Sequence, residues 1–314
     1  MDTNARIYIA GHRGMVGSAI MRHLVAKGYT ALITRSHTEL SLDDALAVEA
    51  FFDQTKPEYV ILAAAKVGGI YANSTQGADF IRENLKIQTH VIDAAYRHGA
   101  KRLLFLGSSC MYPVGANQPL REDSLLTGPL DSSTEPYAMA KLAGKAMCDA
   151  YRAQFGFDAI TAIPSNVYGV GDNFHPDKSH VVAGMMRRFH EARLANAPEV
   201  LVWGSGNAMR ELIDVDDLAA ACVFLMQQTT ADPVINIGSS EEISIRDLAH
   251  LMAKVTGYKG RIRFDSARPD GAPRKLMDNS RIHALGWHAS TSIAQGMARL
   301  YDWWLSTKHR TTTD

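Results

Sequence analysis

A doubly wound α/β fold, with a smaller and discontinuous C-terminal domain, follows from three features of the sequence. Short β-rich runs alternate with amphipathic helical stretches through the first half of the chain. A glycine-rich turn lies between the first strand and the first helix. After "NVYG" (166–169) the alternation gives way to a stretch rich in His, Pro, Asn and Arg. Strand–helix alternation produces right-handed βαβ units, hence a parallel sheet covered by helices on both faces.

Taken in order, the expected strands are "RIYIA" (6–10), "ALIT" (31–34), "YVILAAA" (59–65), "RLLFLG" (102–107) and "DAITAI" (158–163). Between the first two, Val16, Ile20 and Leu24 recur at helical spacing and Gly28 follows as a C-terminal stop. Over 78–98, Ile81, Leu85, Ile92 and Ala95 form one stripe before Gly99. Residues 172–208 carry few strand signals. "LIDVDDLAAACVFLMQ" reads as a helix, and "VINIG" (234–238) as a strand returning to the sheet. The segment 242–314 mixes a helix, a short strand and "LGW" (285–287). The expected division is therefore 1–171 plus 209–241 for the dinucleotide domain, and 172–208 plus 242–314 for a substrate domain. The second would cover the C-terminal ends of the strands, where open α/β sheets bind ligands.

Composition narrows the functions. The 314 residues carry 33 basic and 33 acidic side chains, and 46% are hydrophobic. Zero formal charge without a long basic run points away from nucleic acid and from anionic membranes. The start "MDTNARIYIAGHRG" enters a strand directly, and no apolar run is long enough to span a bilayer. Cys110, Cys148 and Cys222 are odd in number and unrelated in spacing, so neither a disulfide framework nor a metal site is expected. A reducing, cytoplasmic setting follows. Cys148 and Cys222 fall in helical patterns and read as core.

The turn "IYIAGHRGMVGSAI" places Gly11, Gly14 and Gly17 between strand and helix, where glycines permit a tight turn and the helix N-terminus attracts a pyrophosphate. This makes the sheet Rossmann-type. NAD sites place an acid about 20 residues further on, to hold the ribose 2′-hydroxyl. Here the second strand ends in Arg35, and Arg13 lies inside the loop. Two guanidiniums suit a 2′-phosphate, so the expected cofactor is NADPH/NADP.

"PYAMAKLAG" sets Tyr137 and Lys141 four residues apart, on one helix face. A phenol near pKa 10 is a poor proton carrier at neutral pH, and a neighbouring ammonium lowers that value. "FLGSSCMYP" (105–113) brings Ser108 to the end of a strand. Ser108 can hydrogen-bond a substrate oxygen while Tyr137 exchanges a proton with it. Cys110, two residues on, is placed on the same side if the strand end stays extended.

These segments, with "AAAKVGGI", "DNFHPDKSHV", "RRFHEA", "VWGSGNAMRE" and "RPDGAPRK", resemble the extended short-chain dehydrogenases/reductases. In detail they resemble the branch that acts on GDP-4-keto-6-deoxymannose as a 3,5-epimerase and 4-reductase. The resemblance spans residues 7 to about 303. It implies Ser108, Tyr137 and Lys141 as the reductive triad, Cys110 as epimerisation base and His180 as the opposing acid, with His175 a weaker competitor. It further implies Leu106, Asn166 and His180 beside the cofactor. Arg188, Arg210 and Lys275 would meet the diphosphate, Trp203 the base or sugar, and Asp270 a hydroxyl or base edge. A homodimer through 78–98 and 137–153 is implied as well. Near His37 that group often carries an arginine, which leaves the 2′-phosphate to Arg13 and Arg35. Lys66 receives no role. The rival readings are a 4-epimerase or 4,6-dehydratase with retained NAD, and a non-catalytic dinucleotide sensor. Arg35 weighs against the first, and the joint presence of Ser108, Tyr137 and Lys141 against the second.

Overall fold

A computed structural model describes residues 1–176, 179–228, 230, 232–268 and 270–311. In chain order the first half comprises β1 (Ile7–Ala10), α1 (Met15–Ala26), β2 (Leu32–Ile33), α2 (Ala45–Thr55), β3 (Tyr59–Leu62), α3 (Ile70–Thr75), α4 (Gly77–Arg97), β4 (Arg102–Leu106), α5 (Glu135–Phe155) and β5 (Ala159–Pro164). The second half comprises β6 (Asn166–Tyr168), α6 (Val181–Leu194), β7 (Glu199–Trp203), β8 (Met209–Asp214), α7 (Val215–Gln227), β9 (Val234–Ile237), β10 (Glu242–Ser244), α8 (Ile245–Thr256), β11 (Arg261–Asp265), β12 (Arg274–Lys275), α9 (Ser280–Ala284) and α10 (Ile293–Thr311).

The central sheet runs β2-β1-β3-β4-β5-β9, and every pairing in it is parallel. Strand alternation divides its core. Ile7, Ile9, Ile61, Leu104 and Leu106 face α1 and α7, while Tyr8, Val60, Leu62, Leu103 and Phe105 face the layer that includes α2, α4 and α5. Burial on both faces explains the near-continuous apolar runs of these strands. The doubly wound α/β expectation is met. The order reverses between β1 and β3, and the crevice at such a switch point is where dinucleotides bind.

Several elements differ from their sequence patterns. The second strand shortens to Leu32–Ile33, and the third ends at Leu62, so 63–69 becomes loop. The buried stripe of α4 is Phe80, Asn84, Gln88, Val91, Ile92, Ala94 and Ala95, leaving Ile81 and Leu85 half-buried. Two amides on that stripe are satisfied in place. Asn84 clamps the Lys66 N–H and C=O at 3.0 Å each, and the Gln88 side chain donates to the Ala140 carbonyl at 2.6 Å. "LIDVDD" is strand before it is helix: β8 ends at Asp214, whose carboxylate caps α7 by accepting from the Asp216 N–H. β7 and the long α10 had no clear sequence signal.

Outside the central sheet, β8 pairs with β6, β10 and β12, and β7 pairs with β11. Their core joins Tyr168, Met186, Phe189, Leu212, Leu248, Met252 and Met297. No helix among the described residues is long and apolar enough to cross a membrane. Cys148 and Cys222 are buried free thiols, each pushed up to about 12 by burial.

Candidate active site

The turn after β1 is shaped for a close approach. Gly11 has φ +86°, and a Cβ there would stand 2.6 Å from the Ala64 nitrogen. A Cβ on Gly17 would collide with the Gly11 carbonyl. Gly14 is less constrained, but as N-cap of α1 it offers no side chain to the first-turn N–H groups, and that turn holds no acid. A tight turn leading into an uncapped helix N-terminus fits a pyrophosphate.

Beyond β2, Arg35 donates to the Thr34 carbonyl and lies 5.5 Å from the Phe51 ring. An acid is present nearby after all, four residues past Arg35. The Glu39 carboxylate accepts from the Ser36 hydroxyl at 2.6 Å and its N–H at 2.7 Å. Those bonds, with Arg35 and Arg13 close by, hold it below the usual carboxylate range. Glu39 is thus already engaged with the turn, while Arg13 and Arg35 are exposed to solvent.

At the end of β4 the chain does not stay extended. Ser109–Met111 form one 3-10 turn, capped by the Ser108 hydroxyl, which accepts from the Cys110 N–H at 3.3 Å. The shared side of Ser108 and Cys110 therefore comes from this turn rather than from strand alternation. α5 supplies Tyr137 from its first turn, with Pro136 just ahead of it. Burial raises the Tyr137 phenol; the nearby Cys110 adds to the rise, and a hydrogen bond with Ser108 opposes it. The three groups thus share one small volume, and Phe80 meets the Tyr137 ring edge-on at 6.2 Å.

Lys141 lies one turn deeper and is 3% exposed. Its ammonium donates to the Leu106 carbonyl at 2.8 Å and stands 4.7 Å from the Phe105 ring and 5.9 Å from the Tyr137 ring. Burial brings Lys141 down to about 7. The expectation that this ammonium depresses the phenol is not met here. Burial governs both groups and favours the neutral form of each.

A stability prediction follows. Between pH 7 and the ordinary lysine value of 10.5, the unfolded chain holds a proton that folded Lys141 has lost. Stability therefore rises with pH across that window, and the full cost of the buried ammonium is felt below pH 7. Lys141→Met should stabilise the protein at pH 6 by about 1–4 kcal/mol, as when other buried charges are replaced by apolar side chains. The gain should shrink toward pH 10. Urea midpoints at both pH values test this, and destabilisation at pH 6 would contradict it.

Asn166 is half-buried, and its side chain donates to the Glu211 carbonyl at 3.4 Å. His180 is the exposed N-cap of α6 and makes no capping bond; His175 is also exposed, its N–H bonded to Asn173 Oδ1 at 2.9 Å. Asp177 and Lys178 of "DNFHPDKSHV" lie outside the described residues.

A second cluster forms on β7, β8 and β12. Trp203 is 61% exposed, and the Arg268 guanidinium lies 5.1 Å from its ring. Asp270 accepts from the Ser205 N–H at 2.6 Å and hydroxyl at 2.8 Å, which hold it below the usual carboxylate range. Arg210 donates to the Met209 and Ala272 carbonyls, and register sets Lys275 beside it. Arg188 donates to the Leu201 carbonyl. The sequence pattern did not single out Arg268, although it falls in "RPDG".

The fold and the glycine turn define a dinucleotide-binding α/β protein, and comparison with known proteins agrees. Residues 7–238 match the NAD dependent epimerase/dehydratase family, and the chain belongs to that family. It is 54% identical to GDP-L-fucose synthase 1 of Arabidopsis thaliana, over 97% of this chain and 94% of that one. It is 49% identical to GDP-L-fucose synthase of Escherichia coli (strain K12), over 97% and 98%. Among solved structures, MlghC, a GDP-mannoheptose C4 reductase from Campylobacter jejuni with NADP bound, superposes with a TM-score of 0.90 at 35% identity, covering 97% and 99%.

Proposed function

We propose that this chain converts GDP-4-keto-6-deoxymannose to GDP-L-fucose, inverting C3 and C5 and then reducing the C4 ketone with NADPH. The observation that carries the reading is the convergence of Ser108, Tyr137 and Cys110 in one volume above Lys141, where a reductase alone would need no thiol. Relatives named for this activity, near half identical over almost the whole chain, support it.

The C4 carbonyl acidifies the hydrogens on C3 and C5. Cys110, as thiolate, removes one of them, and Ser108 and Tyr137 donate hydrogen bonds to the enolate oxygen. His180 returns a proton to the same carbon from the opposite face, which inverts it. During reduction Tyr137 gives its proton to the C4 oxygen, and Lys141 restores charge balance behind it. NADPH, when bound, supplies the hydride. Gly11, Gly14 and Gly17 would hold its pyrophosphate, Arg13 and Arg35 its 2′-phosphate, and Leu106, Asn166, Lys141 and His180 its nicotinamide end. Arg188, Arg210 and Lys275 would meet the GDP diphosphate, Trp203 the flat base, and Asp270 would hold the Ser205 loop against it. We read the enzyme as a homodimer through α4 and α5, working in the cytoplasm, where three free thiols are at home.

Incubation with GDP-4-keto-6-deoxymannose and NADPH should consume the two in equal amounts and yield GDP-L-fucose. A product that forms without net NADPH loss would favour an NAD-recycling epimerase or dehydratase. For the cofactor, replacing Arg13 and Arg35 together with Ala should raise the KM for NADPH at least about tenfold while leaving that for NADH within about twofold, since each charge-assisted contact contributes roughly 1.5–3 kcal/mol. Equal effects on both cofactors would remove the assignment.

A further inference from the structure

The turn that carries Cys110 is held from both ends. Upstream, β4 fixes it to the sheet, where the Gly107 N–H donates to the Ala162 carbonyl at 2.8 Å. Ser108 stands next to that anchor. Within the turn itself the bonds are sparse. The Met111 N–H reaches the Ser108 carbonyl at 3.0 Å, and the Tyr112 N–H reaches the Ser109 carbonyl at 3.4 Å. The Ser108 N–H has only the Met111 thioether, at 3.3 Å from the sulfur. A 3-10 turn has poorer hydrogen-bond geometry than an α-helix, so these bonds alone would leave the thiol loosely aimed.

Downstream the anchor is Tyr112, a buried side chain whose hydroxyl donates to Asn236 Oδ1 at 2.5 Å. Asn236 is fully buried on β9, in register with Ile163 of β5. Both of its amide protons are used as well: Nδ2 donates to the Leu120 carbonyl at 2.8 Å and to the Asp278 carbonyl at 3.1 Å. Its backbone N–H donates to Glu122 Oε1 at 2.9 Å, and Glu122 Oε2 lies 3.4 Å from Arg281 Nε. Segments distant in sequence thus meet at one amide. A buried polar network whose members are all satisfied selects a single arrangement of the pieces it joins. An apolar pair of the same shape would hold the core about as well, so the Tyr112 hydroxyl contributes direction rather than burial.

We propose that Tyr112 is a positioning residue for Cys110: bound to Asn236, it fixes the downstream end of the 3-10 turn and so aims the thiol at C3 and C5. This inference rests on the role given to Cys110 above. Cys110 lies between the two anchors, whereas Ser108 adjoins the sheet bond at Gly107 directly. Loosening the Tyr112 end should therefore displace the thiol more than the Ser108 hydroxyl. Tyr137 and Lys141 are carried by α5 rather than by the turn. Epimerisation and reduction thus differ in their sensitivity to one hydroxyl that touches neither substrate nor cofactor in this scheme.

The test is the partition between products in Tyr112→Phe. The ring keeps its place in the cluster with Met111, Leu120, Leu142, Ile163 and Met277, and only the bond to Asn236 is lost. In heavy water with GDP-4-keto-6-deoxymannose and no NADPH, deuterium exchange at C3 and C5 should fall about 10–10²-fold, the scale of a small misplacement of a reacting group. With NADPH present, GDP-6-deoxyhexose that keeps the substrate configuration should rise at least about tenfold relative to GDP-L-fucose, with the KM for the keto-sugar within about twofold of wild type. Partial unfolding would lower both products together, so their ratio separates aim from stability. An unchanged ratio in folded Tyr112→Phe would overturn the proposal. If that variant does not fold because Asn236 Oδ1 is stranded, Tyr112→Phe/Asn236→Leu replaces both partners with apolar groups and should show the same shift in ratio. If neither folds, amide exchange in the wild type decides: the Cys110 and Met111 N–H groups should be protected, and free exchange there overturns the proposal. Tyr112→Phe/Cys110→Ser should exchange deuterium no more slowly than Cys110→Ser alone, since the tyrosine acts only through the thiol. Wild-type exchange in Cys110→Ser would instead refute the base role itself. Loss of exchange in Cys110→Ser with full exchange in Tyr112→Phe would refute the positioning role alone.

Discussion

Tyr137→Phe should abolish NADPH-dependent reduction of the keto-sugar while leaving a folded, NADPH-binding protein. The substitution removes one hydroxyl, the one hydrogen-bonded to Ser108 and placed near the Cys110 thiol. The ring would keep its edge-on contact with Phe80, and Lys141 would keep its bond to the Leu106 carbonyl. A general acid contributes about 10²–10⁴-fold, so NADPH oxidation followed by absorbance should fall by that factor. A loss under tenfold would count against Tyr137 as the proton donor. Deuterium exchange at C3 and C5 should persist in part, because Ser108 can still stabilise the enolate oxygen. The variant thus separates the two half-reactions from the reductive side.

How much of this was legible in the sequence depends on the physical cause of each feature. The parallel sheet was readable because both of its faces are buried: Ile7–Ala10 and Leu103–Leu106 must be apolar throughout, whatever packs on them. Gly11 and Gly17 were readable because no side chain fits between the turn and Ala64 or the Gly11 carbonyl. The α4 stripe was misread because Asn84 and Gln88 are polar but buried. They answer backbone groups of Lys66 and Ala140, distant in sequence, which local periodicity cannot see. The same limit applies to "LIDVDD", where pairing with β6, β10 and β12 overrides a helical pattern up to Asp214. In the candidate site, Tyr137 and Lys141 are local to one helix and could be paired by spacing. Their titration could not, because burial in the fold, not their mutual distance, sets both directions. Arg268 over Trp203 is a tertiary contact between residues that sequence alone leaves unrelated.

Cys110→Ser should act on the other half-reaction. A hydroxyl is nearly isosteric with the thiol and far less acidic, so it can keep the 3-10 turn at Ser109–Met111 without supplying an effective base. That turn depends on the Cys110 backbone N–H donating to Ser108, a bond the substitution leaves in place. In heavy water with the keto-sugar and no NADPH, the variant should lose most deuterium incorporation at C3 and C5, by about 10²-fold or more if the thiolate is the proton acceptor. Adding NADPH should then expose the intact reductive side: Tyr137, Lys141 and Ser108 remain, so the ketone is reduced without inversion. The product would be a GDP-6-deoxyhexose that retains the substrate configuration at C3 and C5. His180→Ala should give a different pattern, with exchange largely retained and inversion stalled, because the base still works and only delivery from the opposite face is lost. Double failure in Cys110→Ser, with neither exchange nor reduction, would indicate a collapsed site rather than a missing base, and NADPH binding by the variant distinguishes the two. Wild-type deuterium uptake in Cys110→Ser would end the base assignment and leave Cys110 as a small half-buried side chain.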